Sequence, residues 1–80
     1  MEVNGRSMAD IKYEIIEDLG SISVSSKGWK KELKLISWND NAPKYDLREW
    51  SADNTKMGKG VTLTTEELKA LRDLLNKLDF

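Results

Sequence analysis

Apolar and polar residues alternate from Trp29 to Trp38 and again from Lys44 to Ser51, the two-residue period of a strand rather than the 3.6-residue period of a helix. One parity gathers Leu33 and Leu35 with Tyr45 and Leu47, which reads as a core face. The other gathers Lys30, Lys34, Ile36 and Trp38 with Lys44, Asp46, Arg48 and Trp50. That second face is expected to point outward, and it carries two tryptophans among cations, more than solubility requires. By the same parity Trp29 falls beside Leu33 and Leu35 and reads as core or interface. Lys31 and Glu32 read as solvated.

Upstream, Ile11, Tyr13 and Ile15 alternate, and Ile22 with Val24 resume in the opposite phase, with Leu19-Gly20 at the change. A glycine at a phase change marks either a bulge in one long strand or a tight turn between two short ones. The single bent strand is the reading adopted. Lys27-Gly28 turns the chain into the run starting at Trp29, and Asn39 to Pro43 makes a five-residue hairpin loop. Ala52 to Gly60 is polar and reads as a mobile loop, with Val61 to Leu63 a short strand or extended lead-in. A helix from Thr65 to about Leu78 closes the chain. Thr64 with Glu67 forms a capping box, Leu63 with Leu68 a staple, and Leu68, Leu71, Leu75 and Leu78 a stripe that Leu74 widens. The fold class is therefore α+β, strands first and one amphipathic helix last. Residues 1–10 have no periodicity and read as a flexible arm, leaving 11–80 as one domain.

An 80-residue chain with no cysteine and no histidine has neither disulfides nor the usual zinc ligands to support a small core. Oligomerisation is the expected support. The helix carries surplus leucine, so Leu74, Leu78 and Phe80 are expected to cover a second copy, with a symmetric dimer the commonest outcome. No apolar run reaches the roughly 20 residues that span a bilayer, and no signal-peptide pattern is visible. A soluble, cytoplasmic protein is expected. The net charge is −1, but residues 27–59 hold eight basic and five acidic side chains, so positive charge collects on the central ribbon.

Catalysis finds little support, because the common general base and the thiol nucleophile are both absent. Glu66 and Glu67 read as capping and helix-dipole residues, and Gly58-Lys59-Gly60 lacks phosphate-loop spacing. No catalytic residue, metal, cofactor or small-molecule substrate is expected. The basic-aromatic face has a use: bases of a single strand stack on exposed rings while cations track the phosphates. Trp38 and Trp50 would supply rings, Lys30, Lys34 and Arg48 the charge beside them, and Lys27, Lys56 and Lys59 the charge at the edges. The other reading is a dimeric protein-interaction module whose tryptophans dock a partner.

Lys27-Gly28 followed by a strand with Trp38 ten residues after the glycine, and Lys59-Gly60-Val61-Thr62-Leu63 running into the last helix, resemble the single-stranded-DNA-binding domain of the positive cofactor four family of transcriptional coactivators. The likeness runs from Tyr13 to Leu78 and is nearest the bacterial YdbC-like branch. It implies a four-stranded antiparallel curved sheet, one helix, a homodimer formed through the helices, and grooves that hold extended single strands with little sequence preference. DNA is the ligand implied, with RNA left open, in transcription, replication or repair. By position the family's contacts fall on Lys27, Trp38 and Lys59. Ser26 stands where many members have an aromatic, and Trp29 where eukaryotic members have a basic residue. The strand from Lys44 to Ser51 and its loop are longer, so roles for Arg48 and Trp50 rest on parity. The serine-rich acidic tail of eukaryotic members has no counterpart, which argues against carrying over coactivation itself.

Overall fold

The computed structural model describes residues 12–80. The arm expected over residues 1–10, and Ile11 of the first alternation, lie outside the described residues. Strands β1 (Tyr13–Val24), β2 (Lys30–Trp38), β3 (Lys44–Trp50) and β4 (Met57–Leu63) are followed by helix α1 (Thr65–Leu75). The strands pair antiparallel in the order β1-β2-β3-β4, an open meander with the α+β arrangement read from the sequence.

The bent first strand is bent three times. Along β1 and β2 the register slips past Ile16, Leu19 and Ile22, each an extra residue with no partner on β2. An extra residue kinks a strand and sharpens its twist. The slips also move one additional apolar side chain per bulge, so a spacing of three, normally a helical signal, belongs here to a strand. Gly20, beside the middle bulge, has φ 145°, a conformation costly for any residue with a Cβ. A fourth bulge sets Gly58 and Lys59 opposite Glu49 alone.

These bulges curl the sheet. Trp38 opposes Tyr13 and Trp50 opposes Lys30, at the two ends of β2. On a straight strand those ends are about 26 Å apart. Yet the Tyr13 ring lies 5.5 Å from that of Trp38 and 6.0 Å from that of Trp50. The face bearing these rings is therefore concave.

On the opposite face α1 turns Leu68, Leu71 and Leu75 toward Leu33, Leu47 and Leu63 around an apolar hollow of about 370 Å³. No residue of α1 is buried. The two faces thus reverse the expected order of burial. Among the described residues the fully buried apolar side chains are Ile36 and Trp50, both on the face assigned outward. Leu33, Leu35, Tyr45 and Leu47 are only half-buried. Curvature is the reason: side chains on the concave side converge and shield one another, while a short helix covers only part of the other side.

Four boundaries differ from the sequence reading. β4 starts at Met57, so the second half of the expected mobile loop, Lys59 included, is strand. β2 and β3 each lose the terminal residue assigned to them, Trp29 and Ser51. The capping box forms, with Glu67 N donating to Thr64 Oγ1 at 3.1 Å and Thr64 N to Glu67 Oε1 at 2.8 Å. The helix, however, ends at Leu75, and Lys77 and Leu78 continue in tighter turns, their N–H groups donating to Leu74 and Leu75 carbonyls at 3.1 Å.

Candidate nucleic-acid interface

The concave face is filled by charge in matched pairs. Lys34 is 2% exposed and its Nζ lies 2.6 Å from Glu32 Oε1 and 3.0 Å from Asp18 Oδ2. Glu32, also buried, accepts from Ser21 Oγ at 2.7 Å and has Lys30 Nζ at 3.6 Å. The hydrogen bond from Lys34 holds the Glu32 carboxyl below its ordinary range, against burial that pushes it up, with Ser21 and Lys30 adding to the lowering. Burial disfavours the Lys34 ammonium, but its bonds to Glu32 and Asp18 outweigh that and raise its pKa.

A second unit centres on Asp46, fully buried on β3. Arg48 Nε and a terminal NH2 donate to its two oxygens at 2.7 and 2.9 Å, and Thr62 Oγ1 donates at 3.0 Å. Bidentate pairing of this kind fixes the plane of the guanidinium as well as its charge. The third arm of Arg48 reaches the Gly58 carbonyl at 3.4 Å. Arg48 also sits over Trp38, 5.1 Å from the ring centroid, and Lys34 lies 5.2 Å from that of Trp50. Gly60, opposite Arg48 in the ladder, leaves room for this arrangement, since a Cβ there would overlap the arginine's own Cβ.

The site residues expected from the sequence separate accordingly. Trp50, at 1% exposure, presents no ring to a ligand, and Lys34 no free charge; the expectation that both face solvent is corrected by the curl of the sheet. Trp38 is half-buried, and Arg48 and Lys30 keep part of their surface. Among the described residues the Nε1 donors of Trp38 and Trp50 are buried without an acceptor, a cost of roughly 1–3 kcal/mol each. Lys27, Lys56 and Lys59 are exposed and make no ion pair with a described residue. Leu74, Leu78 and Phe80 are exposed too, on the helix and beyond it.

Sequence reasoning missed Glu32, taken as solvated, and the part Asp46 plays beneath Arg48. Parity had already placed Asp46 on this face, and a carboxylate two residues before an arginine on one strand face was the available signal. It missed Tyr13 as well, because the bulges that bring β1 across the face are not countable from composition.

The loop from Ser51 to Lys56 is not mobile in its bonding. Asp53 Oδ1 accepts from Thr55 Oγ1 at 2.7 Å, from Ser51 Oγ at 2.8 Å and from Thr55 N at 3.1 Å. These bonds, Thr55's hydroxyl first, lower the Asp53 pKa to about 2. Ser51 Oγ in turn accepts from Lys56 N at 3.0 Å.

Residues 25–74 match the family model described as Transcriptional Coactivator p15 (PC4). A protein from Treponema pallidum (strain Nichols), described as an uncharacterized protein, is 56% identical over 69 residues, covering 86% of this chain and 81% of the relative. The chain belongs to the PC4 family, as the resemblance in its sequence implied. Membership points to a nucleic-acid-binding or coactivator-like role.

Proposed function

From this family membership we propose that the chain is a homodimeric module that binds single-stranded DNA with little sequence preference, in the cytoplasm, and catalyses no reaction. The observation that carries the reading is the Trp38–Arg48 pair. A half-buried indole rests on a guanidinium that buried Asp46 locks in place, so the ring is offered as a rigid platform with positive charge behind it. Exposed Lys27, Lys56 and Lys59, with the accessible part of Lys30, supply cations for phosphates. Trp50 and Lys34 serve as the floor of the face rather than as contacts.

The half-covered apolar layer supports the dimer. The hollow beside α1 and the exposed Leu71, Leu74, Leu75 and Leu78 leave a contiguous surface that a second copy would close. The test of binding is a titration with a roughly 20-nucleotide oligo-dT at several salt concentrations, set against a matched duplex. Trp38→Ala is expected to weaken single-strand binding by about 1–3 kcal/mol while the fold survives. Steep weakening with salt marks phosphate contacts, whereas salt-insensitive capture of a protein partner would favour the interaction-module reading. Absence of single-strand binding at low salt overturns the proposal.

A further inference from the structure

Tyr13 opens β1 as the ladder partner of Trp38, and its ring lies 5.5 Å from that of Trp38 and 6.0 Å from that of Trp50, tilted by 41° and 54°. Trp50 is fixed by burial, whereas Trp38 is half-buried and stands where β2 ends. Tyr13 thus ties the more exposed indole to the fixed one. We propose that Tyr13 is a positioning residue for Trp38, and that Lys12 with the Asn39-Asp40 turn is the clamp that holds Tyr13 in place. The inference rests on the single-strand reading above and concerns how Trp38 is held, not what touches the ligand.

The clamp is built on strained backbone. Trp38 is followed at once by Asn39 at φ 51° and Asp40 at φ 62°, and Asn41 N closes the turn on the Trp38 carbonyl at 2.9 Å. Two successive left-handed residues mark a type I′ turn, which glycine builds without a steric penalty and Asn or Asp with a reduced one. A glycine pair would relieve the strain, so the two side chains present are there for what they bond. Both reach Lys12, the residue before Tyr13. Asn39 Oδ1 accepts from Lys12 N at 3.3 Å, and Asp40 Oδ2 pairs with Lys12 Nζ at 2.9 Å. Asn39 N donates back to the Lys12 carbonyl at 2.7 Å. On the other side of Trp38, Ser37 Oγ donates to the Asn41 carbonyl at 2.7 Å. Both chain neighbours of Trp38 and the residue preceding Tyr13 are therefore bonded into one hairpin end, with the Tyr13–Trp38 pair at its root. The Lys12–Asp40 pair is exposed on both sides, at 73% and 79%, and as a surface contact adds little to stability. Its use is to pin the start of an edge strand, which pairs with β2 alone, against the turn. The Trp38 indole is then held from two strands, by Tyr13 on β1 and by the Arg48 guanidinium on β3 at 5.1 Å.

The full-length chain, Tyr13→Leu, Tyr13→Phe and the double variant Asn39→Gly/Asp40→Gly are labelled with fluorotryptophan. Each is compared by fluorine NMR without ligand, by thermal melts, and by anisotropy with a fluorescein-labelled oligo-dT; Trp38→Phe assigns the Trp38 resonance. Tyr13→Leu is expected to move or broaden that resonance in the free protein and to weaken oligo-dT binding roughly 2- to 12-fold, the ordering of one side chain. Tyr13→Phe is expected to restore both. The glycine pair keeps the turn and gives up the side-chain bonds to Lys12. It is expected to hold or raise Tm while it shifts the Trp38 resonance and weakens binding, a combination that loss of fold does not give. It reports even if Tyr13→Leu fails to fold. A Trp38 resonance unmoved in the folded variants overturns the clamp, and weaker binding by Tyr13→Leu without that movement makes Tyr13 a direct contact instead. Failure of the native chain to bind oligo-dT overturns the single-strand reading, while the ligand-free resonance still decides the clamp.

Discussion

Asp46 and Arg48 sit two positions apart on one strand, and burial makes each necessary to the other. With Asp46 fully buried and the Arg48 side chain 16% exposed, neither charge has much water to fall back on. Removing one partner strands the other. Asp46→Ala is expected to cost about 3–5 kcal/mol, read from the urea midpoint, and to release the guanidinium from the face of Trp38. An unchanged midpoint would mean that Arg48 finds another partner. The Glu32–Lys34 pair contributes to the dependence on pH, beside Asp53. Glu32 is lowered from 4.5, so its contribution is present above that value and is lost as pH falls through the lowered folded pKa. Lys34 is raised from 10.5, so its contribution is complete below that value and is lost as pH rises through the raised one. Stability is therefore expected to hold between these limits and to fall on the acid side, and Glu32→Gln should flatten the acid limb in a pH series of denaturant melts.

At the scale of elements, β1 and α1 are supported in different ways. β1 is an edge strand that pairs only with β2, and its three bulges break any long flat edge that another chain could extend. Helix α1 buries none of its residues within the chain, so its local signals matter more than in a packed helix. The capping box is the strongest of them. Thr64→Ala is expected to destabilise by about 1 kcal/mol, seen as a lowered Tm, whereas Thr64→Ser should be nearly silent. The helix signals were legible in the sequence because a cap is a local device, set by residues three apart. The number of bulges was not, because register depends on the facing strand.

For the whole molecule the unfilled apolar layer decides the expectation. Leu74 and Leu78 are each more than half exposed, and beside them the hollow between sheet and helix is open. Leu74→Asp is expected to shift the mass in sedimentation equilibrium from dimer to monomer at micromolar concentration, with a loss of thermal stability. A native chain that sediments as a monomer would overturn the dimer.

The sequence by itself determined the first three strands, the closing helix, their order and the two faces of the ribbon, because alternation, turn residues and caps act between near neighbours. It also carried the family, through the spacing of Lys27-Gly28, Trp38 and Lys59 to Leu63. Only the tertiary structure decided which face is open. Strand parity states that Trp38 and Trp50 lie on one side of the sheet, but curvature, summed over four bulges on two ladders, closes that side over Trp50 and Lys34 and leaves Trp38 at its margin. It likewise brought the turns after β1 and β3 together around Trp29, a contact between segments more than twenty residues apart that no local pattern encodes.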